Sequence, residues 1–393
     1  MAPIPRLKDY AGPALLSYGF RPFFLLGSLY AGLAMFAWLP MFQGELELST
    51  ALAPRDWHVH EMLYGYLPAV VTGFLLTAIP NWTGRMPLQG KPLLVLVLAW
   101  LAGRFAVTTS AWIGWLPAAL IDLSFLALVA AAAGREIVAG KNWRNLKVLV
   151  VLLVLLAGNA VFHVEAHLEG AAQYGTRVGI AASVLLVMLI GGRIVPSFTR
   201  NWLVKANPGR LPASLGTYDK VSISTAGAAL VLWVVLPEHA LTGAALVACG
   251  VLQAIRLGRW AGDRTWRDRL VLILHVAYGF IPLGFVLVGL SALALGVPAA
   301  AGIHAWAGGA LGLMTLAVMS RASLGHTGRA LAASLPTQMV YGLAVISVVA
   351  RICASAHAAW SLPLLVVAAL AWTAAFVGFA VTYWGVLTRP GLR

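Results

Sequence analysis

The run LKVLVVLLVLLAGNAVFHVEAHL, residues 146–168, decides the class of fold. A helix needs about 20 mostly apolar residues to cross the roughly 30 Å hydrocarbon layer of a membrane. This run is long and apolar enough, and it also carries Asn159, His163 and His167 towards its end. It therefore predicts a membrane span with polar chemistry at one end.

The composition extends this prediction to the whole chain. Charged residues make up only 10% of its 393 residues, whereas a soluble domain carries about 25%. The lipid bilayer is therefore the expected solvent. The net charge of +14 fits the Lys and Arg that flank membrane spans. No basic run alternates with stacking aromatic residues, so no nucleic-acid partner is expected.

Other classes of protein lack support in the sequence. Cys249 and Cys353 lie in apolar runs, which excludes a disulfide framework, a Cys-rich zinc site and an iron–sulfur cluster. The first 19 residues have no small-residue cleavage site after an apolar run, so we expect no cleaved signal peptide. No Walker loop, GxGxxG, GxSxG or CxxC pattern occurs in a suitable context.

Twelve apolar segments predict an all-α polytopic membrane protein, with residues 1–393 forming one transmembrane domain. The third and eighth segments are the shortest. Numbered in chain order, the predicted spans are Phe20–Leu39, Trp57–Ile79, Pro92–Val107, Trp112–Ala133, Leu146–Leu168, Gly175–Val195, Thr217–Leu236, Leu241–Leu257, Leu270–Leu290, Ala300–Met319, Pro336–Cys353 and Ser361–Leu387.

The positions of Lys and Arg support twelve spans with both termini in the cytoplasm. In that orientation, all 27 of these residues except Arg55, Arg104, Arg177 and Arg351 fall on the cytoplasmic side. This alternation is the positive-inside pattern, which a missed span would disrupt.

A weak repeat suggests a further level of organisation. IPNWTGR, residues 79–85, lies at the inner end of span two, and VPSFTR, residues 195–200, at the inner end of span six. Span ten ends at Ser320-Arg321, and the three spans start about 120 residues apart. The repeat suggests three four-helix units. The alternative is that Pro, Trp and Arg accumulate at helix ends in membranes.

Five of the nine histidines lie in the outer third of three predicted spans. Titratable groups inside a bilayer are costly and commonly mark functional sites. Spans two and ten run inwards and span five runs outwards, so these histidines share one height. They are His58 and His60 on span two, His163 and His167 on span five, and His304 on span ten.

His163 and His167 are four residues apart and therefore share a helix face, together with Asn159. Imidazole binds copper and zinc and is a common axial ligand of haem. With one histidine from another helix, this pair would form a three-nitrogen metal site. The alternative is that the two histidines bind lipid headgroups at the interface.

The histidines of span two point in different directions. In a regular helix, His58 and His60 lie about 160° apart, so they cannot both serve one mononuclear site. His60 shares its face with Glu61 and Tyr64, which would fix the tautomer of a ligating imidazole or supply a proton.

Span ten offers space beside its histidine. Gly308 and Gly312 continue the face of His304. Small residues there would admit either a closely packed helix or a flat macrocycle.

Three polar features lie elsewhere. Asp122, near the middle of span four, is either a proton-path residue or a helix contact. His275 and Tyr278 on span nine belong to the same path or to a second site. Residues 320–329, SRASLGHTGR, form either an ordered cytoplasmic loop or an anion-binding segment.

Four motifs in order give the chain a family resemblance. They are GFRPFF at residues 19–24, WHVHEM at 57–62, TAIPNWTGR at 77–85 and SLGHTGR at 323–329. Together they resemble the NnrS family. The resemblance implies a polytopic protein of the bacterial inner membrane that contains haem and copper. It also implies a role in nitric oxide metabolism and denitrification, and in protection from nitrosative stress.

The architecture is also similar to the haem–copper oxidase core, whose relatives include nitric oxide reductases. Outer histidines on spans two and ten support this analogy. However, span six has no histidine and the chain has no adjacent His-His pair, so the analogy rests on architecture alone.

The leading hypothesis is an oxidoreductase that binds haem b and copper near the periplasmic face and reduces nitric oxide. His58 or His60 would pair with His304 on haem, and His275 is a further cofactor ligand. His163 and His167 would bind copper with the remaining histidine of span two. Glu61, Tyr64 and Asp122 would transfer protons.

The electron donor is left open between quinol and a separate redox protein, because the chain has no CxxCH motif. One rival function is a transporter, for which Asp122 and Gln253 are the only polar residues at mid-membrane depth. The other is a haem-based nitric oxide sensor without turnover.

Overall fold

The fold is all-α. The computed structural model describes residues 10–391, and no strand occurs within that range. Twelve helices are long and apolar enough to cross a membrane, which confirms the predicted number. They are α1 (Phe20–Gln43), α2 (Pro54–Thr83), α3 (Lys91–Thr108), α4 (Trp115–Ala139), α5 (Trp143–Glu169), α6 (Tyr174–Ala206), α7 (Thr217–Val235), α8 (Ala240–Arg264), α9 (Arg269–Ala292), α10 (Ala299–His326), α11 (Leu335–Ala356) and α12 (Ala358–Thr388).

Two helices contain a widened π-helical segment. In α2 the segment is Glu61–Tyr66, and in α10 it is Ala305–Leu313. Each segment begins directly after a histidine, His60 in α2 and His304 in α10. Because π-turns are rare and frequently occur at functional sites, they draw attention to these two histidines.

Several helices continue beyond their predicted inner ends, among them α6 and α10. α6 runs through Pro196 to Ala206 instead of ending at Val195. α10 continues to His326, so most of the expected cytoplasmic loop at residues 320–329 is helical. The hydroxyls of Ser320 and Thr327 each donate to a carbonyl four residues earlier, at 2.7 Å. The hydroxyls of these two residues therefore find hydrogen-bond acceptors on the preceding helical turn, so their polarity does not require an irregular loop.

The described residues divide into two compact units. The first contains residues 10–179, Ala322–Ala330 and 376–391, and the second contains Ile180–Arg321 and Leu331–Ala375. This division differs from the three four-helix units that the repeat suggested. The three-unit grouping and the single domain both stay predictions.

In the first unit, α4 packs against α2, α3 and α5. A glycine explains the close approach of α3: a Cβ atom on Gly103 would lie 3.2 Å from the Asp122 Cα. On α1, Phe23 packs its ring against Phe125 of α4, with 5.7 Å between centroids. This packing brings the polar residues of α2, α3, α4 and α5 together inside an apolar shell.

In the second unit, α8 packs closely against α9. A Cβ on Gly250 would lie 3.1 Å from the carbonyl oxygen of Pro282, and a Cβ on Gly289 would lie 2.8 Å from that of Gly243. The glycines on both helices therefore allow near-backbone contact.

Candidate metal centre

Asp122 lies at the centre of a buried polar network in the first unit. Asp122 is 2% exposed. The neighbouring helix α3 supplies Arg104, whose guanidinium donates to Asp122 Oδ1 and, at 2.6 Å, to Glu61 Oε2. One buried cation therefore bridges two buried carboxylates.

Two histidines converge on the other oxygen of Asp122. Nε2 of His60 lies 3.2 Å from Asp122 Oδ2, and Nε2 of His163 lies 3.1 Å from the same atom. The two imidazole rings are 4.8 Å apart between centroids. Each of the three residues can offer one ligand atom so that all three atoms lie within 4.8 Å of one another. We call this set the His60–Asp122–His163 cluster.

Further side chains hold the cluster in place. Asn159 Nδ2 donates to Asp122 Oδ2 at 2.7 Å, and Asn159 Oδ1 lies 3.1 Å from His60 Nε2. On the other side of the imidazole, His60 Nδ1 lies 2.9 Å from Glu61 Oε1. The hydroxyl of Tyr30 donates to Glu61 Oε2. We call the seven residues the Arg104 network: Tyr30, His60, Glu61, Arg104, Asp122, Asn159 and His163.

The hydrogen bonds define the charge state without metal. Both ring nitrogens of His60 face oxygen atoms, so with Glu61 and Asp122 ionised each nitrogen carries a proton and the ring is an imidazolium. The positive charges of His60 and Arg104 then balance the negative charges of Glu61 and Asp122. Without the proton on His60, the network would hold one more anion than cation.

The donor set fits a transition-metal ion. Ligands about 2.0–2.1 Å from a tetrahedral metal lie about 3.3 Å from one another. The two Nε2-to-Oδ2 separations, 3.1 and 3.2 Å, are close to that value. Two imidazoles and one carboxylate suit copper, zinc or iron. Arg104 and Asn159 would orient the carboxylate from outside the ligand set.

A pocket of about 120 Å³ reaches the cluster at His163. His167 lies one helical turn further along α5, where it is exposed and stacks on Trp115 with 4.2 Å between ring centroids. His163 and His167 thus share the pocket, but only His163 joins the cluster. The lining residues are Ala51, Leu52, Val107, Ser110, Trp115, Ala118, His163, Ala166 and His167.

His58 and Tyr64 of α2 have other surroundings. His58 is half-buried and stacks on Trp38, with 4.3 Å between centroids. The hydroxyl of Tyr64 donates to the carbonyl of Gly175 at 2.6 Å. A Cβ on Gly158 would lie 2.7 Å from that hydroxyl. Glycine at this position therefore admits Tyr64 to the α5–α6 connection.

A buried acid in α5 also serves that connection. Glu165 accepts hydrogen bonds from the backbone N–H groups of Gln173, Tyr174 and Gly175, at 2.8–3.1 Å. Glu165 therefore caps the start of α6, where the helix dipole favours a carboxylate.

His304 lies in the second unit. Its Nδ1 donates to the Ala300 carbonyl at 2.7 Å, the tautomer that leaves the lone pair on Nε2. A Cβ on Gly308 would lie 3.3 Å from Val348, and one on Gly312 would lie 2.5 Å from Trp372. The glycine face beside His304 is therefore packed by side chains of the same unit.

The second unit has a buried arginine of its own. Arg256 donates to Asp219 Oδ1 at 2.9 Å and to the Tyr278 hydroxyl at 2.7 Å. The Tyr278 hydroxyl in turn donates to Gln253 Oε1 at 2.7 Å. We call these four residues the Arg256 network. His275, which the sequence assigned with Tyr278 to the proton path or to a second site, has its Nε2 2.7 Å from the Thr199 hydroxyl.

Sequence reasoning had already selected His60, Glu61, Asp122, Asn159 and His163. It missed Arg104 and Tyr30. Arg104 carried a usable signal, because it is a charged residue within the apolar run at residues 92–107 and such residues need buried partners. Tyr30 carried none, since tyrosine is ordinary in a membrane helix.

The fold and this site define a polytopic membrane protein with a buried His/Asp cluster that can bind a metal ion. Comparison with known protein families matches residues 14–391 to the family described as NnrS protein. The chain belongs to the NnrS family, as its four motifs predicted. Membership in this family supports a membrane protein connected with nitric oxide. No curated protein sequence matches the chain.

Proposed function

We propose that the chain is a copper- and haem-binding protein of the bacterial inner membrane that reduces nitric oxide. The convergence of His60 Nε2 and His163 Nε2 on Asp122 Oδ2 carries the copper part of this proposal. The distribution of Lys and Arg favours a position of the cluster near the periplasmic face.

Copper would be held by His60, Asp122 and His163, and would supply one-electron chemistry when bound. Its binding would displace the protons from both Nε2 atoms. Arg104 would hold Asp122 Oδ1 and leave Oδ2 as the ligand atom. Loss of the His60 proton removes one positive charge, so a monovalent copper ion would restore the neutrality of the network.

The Arg104 network also suits proton transfer. Reduction of two nitric oxide molecules to nitrous oxide and water consumes two electrons and two protons. Hydrogen bonds connect Tyr30, Glu61 and His60 Nδ1 in sequence, and copper bound at His60 Nε2 would leave them intact. This chain would bring protons to the imidazole of His60 beside the metal. The pocket that His163 borders has a volume of about 120 Å³, which suits a diatomic gas.

Haem does not fit at His60. The residue is fully buried, both ring nitrogens have partners, and the adjoining pocket of about 120 Å³ is too small for a macrocycle. His304 retains the donor chemistry of an axial ligand through Nε2. His304 stays the proposed haem ligand by its position in α10. Val348 and Trp372 fill the glycine face beside it, so a haem there would need another side of the imidazole, and no step is assigned to it.

Metal analysis of the purified protein tests the copper proposal. Cells supplied with copper and haem should yield one copper per chain. His60→Ala and His163→Ala should each lower copper content at least about tenfold. His167→Ala is the matched control and should retain copper. Equal loss in all three variants, or in none, would reject the assignment. Zinc or iron at full occupancy would reject copper.

Nitric oxide consumption distinguishes the enzyme from a sensor. The wild-type protein, given an artificial one-electron reductant, should consume nitric oxide in many turnovers and release nitrous oxide. Consumption should fall with copper content in His163→Ala. Stoichiometric binding without turnover, with an intact Soret band, would favour the sensor.

A further inference from the structure

We propose that the first unit has an anion site, specific for phosphate-type oxyanions, built by Arg21, Ser323 and Arg329. These residues belong to the motifs GFRPFF and SLGHTGR, which the metal centre does not use. The site lies where the start of α1 meets the ends of α10 and α12. It is independent of the proposed reaction with nitric oxide.

The packing that joins these segments is aromatic. The ring of Phe20, at the start of α1, lies 5.7 Å from that of His326 at the end of α10. Gly391, just beyond α12, is close to Thr327: a Cβ there would lie 3.3 Å from the Thr327 carbonyl oxygen. Three chain segments thus surround one small region.

Arg21 is buried in this region, and only some of its hydrogen-bond donors have acceptors. It is 4% exposed, and its Nη1 donates to the carbonyls of Leu387 and Arg389 at 2.9 and 2.7 Å. These bonds stabilise the carbonyl end of α12. Its Nε is buried and has no hydrogen-bond partner among residues 10–391.

Ser323 and Arg329 supply further unused donors. Ser323 is 0% exposed, and its hydroxyl has no partner in the described part of the chain. The same holds for the buried Nη1 of Arg329. A buried donor without an acceptor destabilises the folded chain. Three such donors in one region therefore point to an acceptor that is not part of residues 10–391.

The charges agree with an anionic occupant. Arg21 and Arg329 bring two positive charges to the chain segments that meet here, and like charges repel each other. No ion pair involves either arginine within residues 10–391. An oxyanion with several acceptor oxygens would remove the repulsion and accept from all three donors. Phosphate has that chemistry, either free or as the headgroup of an anionic phospholipid at a helix end.

Two binding measurements on the purified full-length protein distinguish these sources. Native mass spectrometry compares retention of phosphatidylglycerol with that of phosphatidylcholine. Thermal unfolding with and without inorganic phosphate tests the free ion. We expect the wild type to retain phosphatidylglycerol preferentially or to be stabilised by phosphate. Either result supports the site and identifies its source. If the wild type shows neither preferential retention of phosphatidylglycerol nor stabilisation by phosphate, the proposal is overturned.

Variants connect the binding to these residues. Arg329→Gln should lower the effective binding about tenfold, because it removes a charge-assisted hydrogen bond. Arg144→Gln is the control, since Arg144 is exposed in another basic segment, and it should behave as wild type. If Arg329→Gln does not fold, Ser323→Ala should still lower binding about threefold. Unchanged binding in the folded variants would overturn the site.

Discussion

Arg104 and Arg256, two of the buried arginines, have different electrostatic surroundings. Arg256 has one carboxylate partner, Asp219, and its other contacts are neutral: the Tyr278 hydroxyl and the Met188 carbonyl. Arg104 has two carboxylate partners, Glu61 and Asp122. Asp219 also lies 3.9 Å from the guanidinium of Arg259. The acid of the Arg256 network therefore has two cations beside it, whereas the Arg104 network needs one more cation.

This difference in charge distinguishes a network that stabilises helix packing from one that can bind a metal ion. The Arg256 network has no excess negative charge that a proton or a metal ion would balance, and it fixes helices in register. A network with excess negative charge must bind a proton or a metal ion, and the histidines that bear the proton are themselves metal ligands. The proposed metal site depends on the different charge balance of the Arg104 and Arg256 networks, and the following substitutions test it.

The largest effects are expected from removing each arginine. Arg104→Leu and Arg256→Leu should each destabilise the protein by at least about 3–5 kcal/mol, because buried carboxylates lose their partner. Divalent copper should partly restore Arg104→Leu, since it brings one more positive charge than the His60 proton that it displaces. It should not restore Arg256→Leu. Thermal unfolding with and without copper measures both variants, and equal rescue of the two would contradict the contrast.

Removing one carboxylate from each network should separate them further. Asp219→Asn leaves Arg256 without an anion and should cost about 3–5 kcal/mol. Glu61→Gln leaves Arg104 paired with Asp122, and His60 can release its proton, so the cost should be about 1–2 kcal/mol. Denaturation of the purified variants gives both values. A greater loss for Glu61→Gln would show that Arg104 depends on both carboxylates.

The smallest effects are expected from the two tyrosines. Tyr64→Phe loses one bond to a carbonyl and should cost about 1 kcal/mol. Tyr278→Phe loses a bond with the charged Arg256 and should cost about 1.5–3 kcal/mol. Copper content should be unchanged in both. If Tyr64→Phe instead lowers nitric oxide consumption more than tenfold at normal copper content, the predicted proton role of Tyr64 is supported.

The sequence predicted the number of helices and the height of several site residues, because hydropathy and charge act along each segment separately. It also placed His60 and His163 at one level. It could not predict that Asp122 lies between them. That contact depends on the rotation and spacing of α4, which Gly103 of the neighbouring helix sets.

Helical periodicity could not distinguish the surroundings of His167 from those of His163. The four-residue spacing predicted that His163 and His167 share a helix face, and both side chains border one pocket. One turn of helix nevertheless separates a buried residue from an exposed one, and the stacking of His167 on Trp115 depends on a partner from another helix. Prediction of the ligand set therefore required knowledge of which residues α4 contributes.

The most direct test of the central claim is a count of the imidazole nitrogens that couple to bound copper. Pulsed electron paramagnetic resonance of the oxidised, copper-loaded protein measures this number. We predict two imidazoles in the wild type, one or a complete loss of copper in His163→Ala, and two in His167→Ala and in Asp219→Asn. Copper coupled to no histidine, or a signal that His163→Ala leaves unchanged, would contradict the assignment of the Arg104 network as the metal centre.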